Sequence, residues 1–167
     1  CLAIGIREAP TYGSPAFLWQ GSLKSYQSAP AGGMVMATAT LSGDYAASPL
    51  QYSKPWGVVV HPLASATAAN TATAGTIIDN GAATTGGGYL YYNYTVLDGS
   101  LNGAVALLEE SADAATWSTL ILQPAISAPA AGIIQLAPGS TVKQYLRWQL
   151  GFTAATTATF FLAFVRG

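Results

Sequence analysis

The chain has 167 residues, of which 51% are hydrophobic and only 8% are charged, and its formal net charge is −1. This length and hydrophobic content suffice for one core, while six Lys plus Arg are too few for the basic patch that nucleic-acid binding requires. Because typical soluble domains are about 25% charged, we expect much of the surface to be covered, most simply by copies of the same chain.

Cys1 is the single cysteine, so the sequence excludes an internal disulfide and a cysteine-based zinc site. A chain that begins Cys-Leu-Ala-Ile without a methionine is expected to be processed or to continue upstream. No apolar run approaches the roughly 20 residues that a helix needs to cross a bilayer, so no membrane span is predicted.

Residues 1–56 are predicted to form a β-rich segment that ends in a linker. An apolar patch follows Pro15, and a Pro-Ala-Gly-Gly turn precedes a run over residues 34–41 with apolar residues at both alternating sets of positions. That period of two is expected for a strand between two layers or two subunits. Gly, Ser and Pro interrupt residues 42–56, where we place a domain boundary. The predicted assembly interface comprises Phe17, Trp19, Met34, Val35, Met36, Ala37 and Leu41.

Residues 57–167 are predicted to form an all-β domain. Short strands recur there, each is bounded by turn residues, and no helical periodicity separates them. The predicted strands cover residues 58–63, 75–79, 89–97, 104–110, 118–123, 133–137, 144–152 and 159–166. Eight short strands indicate an eight-stranded β-sandwich of the jelly-roll-like kind.

The best-specified local structure is a β-hairpin over residues 107–120. Ser111 and Asp113 suit its turn, because their side chains hydrogen-bond nearby backbone, and Trp117 is expected to fold back on the incoming strand. Glu109 and Glu110 invite comparison with the paired carboxylates of glycosidases, but neighbours on a strand point to opposite faces. We interpret them as a charged strand end.

No catalytic residue, cofactor site or metal site is predicted. His61, the one histidine, has no Asp, Ser or Cys near it in sequence, so a structural or surface role is favoured over catalysis. No nucleophile and base, and no cluster of metal ligands, can be assembled from the sequence.

A tyrosine-rich strand is the candidate binding surface. Tyr89 and Tyr91 fall on one face of residues 89–97, while Tyr92 and Tyr94 fall on the other. An exposed tyrosine row could stack on sugar rings or form a subunit contact, and the scarcity of charge favours the subunit contact. The candidate surface and glycan contacts are Tyr89, Tyr91 and Trp117.

Several segments resemble structural tail proteins of long-tailed bacteriophages, in which a tail-tube-type β-structure precedes a C-terminal jelly-roll-like sandwich. The hairpin and the closing strand carry the most specific likeness. The matching segments are residues 23–33, 57–63, 110–117, 143–148 and 158–166. The sequence departs from the pattern at Glu110, where that family often has His, and in its short tube-forming part.

The resemblance implies a non-enzymatic structural virion protein of the tail or outer particle surface. Such a protein would assemble with copies of itself into a ring or tube and would contact other virion proteins. Two alternatives stay open at this point: a capsid decoration protein, and a carbohydrate-binding sandwich module whose partners are surface glycans. No specific nucleic-acid partner is predicted.

Overall fold

The computed structural model describes residues 2–5, 10–19, 21–31, 34–43, 56–67, 72–101, 106–151 and 157–167, and every helix-or-strand element among them is a β-strand. The predicted all-β class is therefore confirmed. The thirteen strands are β1 (Leu2–Gly5), β2 (Pro15–Trp19), β3 (Gly21–Ala31), β4 (Met34–Gly43), β5 (Trp56–Thr67), β6 (Ala72–Ala74), β7 (Ile78–Asp79), β8 (Gly88–Asp98), β9 (Ala106–Ser111), β10 (Ser118–Leu122), β11 (Ala130–Leu136), β12 (Tyr145–Gly151) and β13 (Thr157–Arg166).

The strands from β5 onward form two antiparallel sheets with the alternation of a jelly roll. β5, β13, β8 and β11 are adjacent in that order in the larger sheet, and β10, β9, β12 and β6 follow one another in the smaller sheet. The short β7 also pairs with β12. Only β7 lies within the strand predicted over residues 75–79, because β6 precedes that range. Successive strands therefore alternate between the sheets except along β6–β7 and β9–β10, and this all-β arrangement of two antiparallel sheets confirms the predicted sandwich.

The two sheets share one apolar core. In β12, Leu146, Trp148 and Leu150 are buried, while Tyr145 and Arg147 are half-buried, as the alternating pattern predicts. The core side of β13 carries a second buried set that meets them across the sandwich, namely Phe160, Leu162 and Phe164. The alternation of residues 144–152 also predicts Phe152 for the first set, but this residue lies outside the described residues.

The larger sheet is apolar on its opposite face as well. Val59, Ala163 and Val165 are fully buried there and pack with Tyr91. The pairing register places Tyr91 beside Ala163, and Ala163 beside Val59, across three neighbouring strands. A sheet that buries both faces has near-continuous apolar strands, and β13 is such a strand.

The predicted hairpin at residues 107–120 is confirmed as β9 and β10. Its turn is held by Asp113, whose Oδ1 accepts hydrogen bonds from the N–H groups of Ala115 and Thr116 and from the Ser111 hydroxyl, at 2.9, 2.7 and 2.8 Å. These bonds hold the pKa of Asp113 well below its usual range. The turn also contains Ala114 with a φ of 58°, in the left-handed region that side chains other than glycine rarely adopt.

The first two strands, β1 and β2, join a sheet of the sandwich although they precede residue 56. β1 pairs with β2, and β2 pairs with β5, so both extend the larger sheet of the sandwich. Ala16 in β2 is fully buried against the outer apolar cluster of that sheet. Strand periodicity marks where a strand lies but not which sheet it joins, which is why the sequence did not predict this pairing.

Candidate assembly surface

β3 and β4 form a two-stranded sheet of their own. Ten residue pairs join them, from Gly21 opposite Gly43 to Ala31 opposite Met34, and neither strand pairs with any other described strand. The strand predicted over residues 34–41 is thus confirmed as β4, and β3 is an additional strand. A two-stranded hairpin without further packing is at best marginally stable in water.

The role of the predicted interface residues in an assembly stays a prediction. Among the hairpin residues, only Ser25 has a described side chain, and it is exposed. The side chains of Phe17, Trp19, Met34, Val35, Met36, Ala37 and Leu41 lie outside the described residues. What the structure contributes is the backbone, which places five of these seven residues on the separate hairpin.

The tyrosine strand is not the exposed row that the sequence suggested. Tyr89 and Tyr91 are only 7% and 6% exposed, because the face of the larger sheet that carries them is itself packed. Tyr91 lies 6.2 Å from Phe161 between ring centroids, and burial raises the pKa of its hydroxyl. The expectation of exposed rings is therefore wrong for both residues, and neither offers an open face to a sugar.

Tyr94, on the core side of the same strand, is tied into the interior. Its hydroxyl donates a 2.8 Å hydrogen bond to Oε1 of Gln123, and both side chains are buried. Burial raises the pKa of this hydroxyl far above its ordinary value. A buried, hydrogen-bonded tyrosine of this kind fixes the core and does not form a surface.

Trp117 is half-buried, and one face of its ring is covered by a charged side chain, Arg147. The Arg147 guanidinium carbon lies 4.2 Å from the Trp117 ring centroid, which is a cation–π contact. Nε of Arg147 also donates to Oε2 of Glu109 at 2.7 Å. A sugar stacking on that ring face would have to displace the guanidinium, so the predicted glycan contact gains no support from the geometry.

Glu109 and Glu110 diverge, as predicted. Glu109 joins Arg147, whereas Glu110 lies in register with the fully buried Leu146 and accepts a 2.9 Å hydrogen bond from the backbone N–H of Lys143. The Lys143 ammonium is also 3.5 Å from Oε1 of Glu110. The two carboxylates are each bound to a different cation, so they do not form the pair that glycoside hydrolysis needs.

Arg166 has a role that sequence reasoning missed. From the larger sheet its guanidinium reaches the loops beside the smaller one, donating to the carbonyl oxygens of Val142 at 2.9 Å and Lys143 at 2.5 Å. The backbone of Lys143 is therefore held by both residues, because Glu110 accepts from its N–H and Arg166 donates to its carbonyl oxygen. The available signal was an arginine at the end of an otherwise apolar strand.

His61 is a core residue. It is 2% exposed, its ring stacks on Phe160 at 3.9 Å between centroids, and Trp148 and Tyr12 meet it edge-on at 5.1 and 5.6 Å. Nδ1 lies 3.1 Å from the carbonyl oxygen of Phe160. Burial lowers the pKa of the imidazole. Aromatic rings and a backbone carbonyl form its surroundings, which supports a structural role.

The described residues contain no group of three or more His, Cys, Asp or Glu side chains that could hold a metal ion. Within the same residues, no helix has the length and apolarity to span a membrane. Comparison of the chain with known protein families, curated proteins and solved structures found no match.

Proposed function

We propose that this protein is a non-enzymatic structural virion protein, a subunit of a bacteriophage tail tube or a related assembly, that assembles through its β3–β4 hairpin. The observation that carries the proposal is the pairing of that hairpin. Its strands of 11 and 10 residues pair only with each other among the described strands. Two strands alone are marginally stable, so the hairpin is completed by another copy of the chain.

Charge and packing support this assignment. Only 8% of residues are charged, which suits a chain whose surface is largely covered in an assembly. The sandwich, by contrast, has a shared core of its own and serves as a self-sufficient body that carries the hairpin. The sequence resemblance to tail proteins is the reason for proposing a bacteriophage virion as the assembly.

The two alternatives fare differently. A carbohydrate-binding module loses support because Tyr89 and Tyr91 are buried and one face of Trp117 is covered by Arg147. A capsid decoration protein fits the same sandwich. It differs from a tube subunit in binding a preformed shell without assembling by itself, so an assembly experiment separates the two.

The test uses two charge substitutions on adjacent residues of β4, Val35→Asp and Met36→Asp. Adjacent residues on a strand point to opposite faces, so between them the variants add a charge to each face. A charge that becomes buried without a partner costs several kcal/mol. We expect wild type to form rings or tubes in sedimentation velocity and negative-stain microscopy, and at least one variant to stay monomeric.

A matched control carries the same charge on an exposed loop of the sandwich, Ala112→Asp, and should assemble like wild type. Thermal unfolding of every variant checks that the sandwich is intact. If the wild-type chain stays monomeric at high concentration and binds phage shells, the tube-subunit proposal is wrong and the chain is a decoration protein. A monomer that binds no virion component would overturn it.

A further inference from the structure

The edges of the sheets differ in how well they are protected against pairing with another chain. An edge strand exposes unpaired N–H and C=O groups, and proteins blunt such edges with short strands, bulges, proline or charge. Three of the edges in the described structure are blunted in this way. β1 and β6 have four and three residues, and β10 has five residues with two register shifts against β9.

The β3 edge of the hairpin is also protected. Its register against β4 shifts between Leu23 and Ser25, so Lys24 is an extra, bulged residue on β3. Pro30, near the other end of the strand, has no N–H to donate. A bulge, a lysine and a proline on one strand are three of the devices that discourage edge pairing.

The β11 edge of the larger sheet has none of these devices. All seven of its residues pair with β8 in unbroken register, from Ala130 opposite Tyr94 to Leu136 opposite Gly88. The strand contains no proline, and no charged residue occurs between Asp113 and Lys143. No described strand lies on its other side. β11 is therefore a regular, uncharged edge that is open for pairing.

The β4 edge of the hairpin is open in the same sense. Each of its ten residues has a partner on β3 with none skipped on the β4 side, and the strand contains neither proline nor charge. Of the six edges of the three described sheets, β4 and β11 alone combine length, regularity and absence of charge. One belongs to the hairpin and the other to the sandwich.

We infer that β4 of one copy pairs with β11 of the next copy, so that the hairpin extends the larger sheet of its neighbour. This inference rests on the proposed function and names the partner surface for the hairpin. This β4–β11 pairing gives the hairpin a third strand and covers the open edge of the sandwich. Pairing of two β11 edges would leave the hairpin without a sheet.

The β4–β11 pairing is also of the type that can build a ring or a tube. β4 and β11 are different surfaces of one chain, so their contact is heterologous and leaves a free β4 on one end and a free β11 on the other. Heterologous contacts close into rings or continue as open filaments. Pairing of identical edges would stop at a dimer.

The first test blocks β11 with proline, in separate variants Ala130→Pro and Ala131→Pro. Backbone groups of neighbouring residues on an edge strand alternate between the sheet and the open side. One of the two variants should thus retain the wild-type melting temperature. We expect that variant to need a concentration at least roughly tenfold higher than wild type for assembly.

A second variant avoids the backbone change. Ala131→Lys with Gln135→Lys places two charges at exposed positions of β11, and Thr119→Lys with Leu122→Lys is the matched control on the blunted β10 edge. The β11 variant should lose assembly, while the β10 variant should assemble like wild type. Wild-type assembly by the folded proline variant and by the β11 lysine variant would overturn the inference and leave the proposed function standing.

Mixing separates the possible pairings. A chain disabled in β4, by Val35→Asp or Met36→Asp, retains β11, and a chain disabled in β11 retains β4. Each should be monomeric alone, and an equimolar mixture should form a dimer of one copy of each in sedimentation velocity. Dimers of the β4 variant alone would indicate pairing of two β11 edges, and dimers of the β11 variant alone would indicate pairing of two β4 edges. Either kind of dimer would overturn the inference. So would full assembly by both β4 variants, or an equimolar mixture that stays monomeric.

Discussion

The sandwich and the β3–β4 hairpin of this chain differ in how their strands are paired and packed. In the sandwich, two sheets bury a common core, and Arg166 bonds the larger sheet to the loops beside the smaller one. In the hairpin, two long strands pair only with each other among the described strands. The sandwich thus has a core within one chain, whereas we propose that the two-stranded hairpin is completed by association with another copy.

The largest expected effect is on the stability of the sandwich. Phe160 is fully buried, stacks on His61 and contacts Trp148 and Tyr94. We expect Phe160→Ala to lower the free energy of unfolding by about 3–5 kcal/mol, because it leaves a cavity. Urea unfolding followed by tryptophan fluorescence measures this loss.

The comparison with the hairpin makes that measurement diagnostic. Met36→Asp in the hairpin should leave the midpoint of monomer unfolding close to that of wild type. If it lowered stability as much as Phe160→Ala does, the hairpin and the sandwich would form one cooperative unit, and the distinction between them would fail.

A smaller effect is expected from the bond between the sheet and the loops. We expect Arg166→Met to destabilise the sandwich by about 1–3 kcal/mol, because it removes donors from partly buried carbonyl groups. Arg166→Lys retains the charge but not the forked geometry of the guanidinium, so it should recover only part of the loss. Equal stability of wild type and both variants in urea unfolding would show that these bonds contribute nothing measurable.

The smallest effect at neutral pH concerns His61. Burial lowers its pKa in the folded state, so the contribution of the neutral ring is complete above the unfolded value of 6.5 and is lost as pH falls from there towards the folded pKa. His61→Phe keeps a ring against Phe160 but cannot titrate. We expect the stability of wild type to fall more steeply than that of His61→Phe between pH 7 and 5. Parallel pH profiles would contradict this.

Local sequence patterns predicted most of the sandwich because its strands follow simple rules. Alternation puts Leu146 and Trp148 on one face of β12, and this face is buried in the core. It likewise puts Phe160 and Phe164 on one face of β13, which the structure buries as well. The divergence of Glu109 and Glu110 followed from strand geometry alone. These features depend on the neighbours of each residue along the chain, so they can be predicted without knowledge of the tertiary structure.

The predictions that failed depend on what packs over a face. Tyr89 and Tyr91 form one face of a strand, but a sequence does not say whether that face is covered, and here it is. For Trp117, the sequence likewise does not indicate that Arg147 covers one face of the ring. The pairing of β2 with β5 joins segments that are distant in the sequence, and local periodicity carries no signal for such a pairing. For the same reason, local periodicity does not indicate that β11 lies at the edge of its sheet.

The position of β13 has a consequence for how the protein folds. This strand lies between β5 and β8, and its contact between Phe160 and His61 joins residues 99 positions apart. Contacts so distant in sequence slow folding, because a long loop must be closed before they form. During synthesis, β5 and β8 emerge long before the strand that separates them, and both wait with unpaired edges. We therefore expect the larger sheet to form last at its centre, and the nascent chain to be most prone to mispairing until β13 is synthesised.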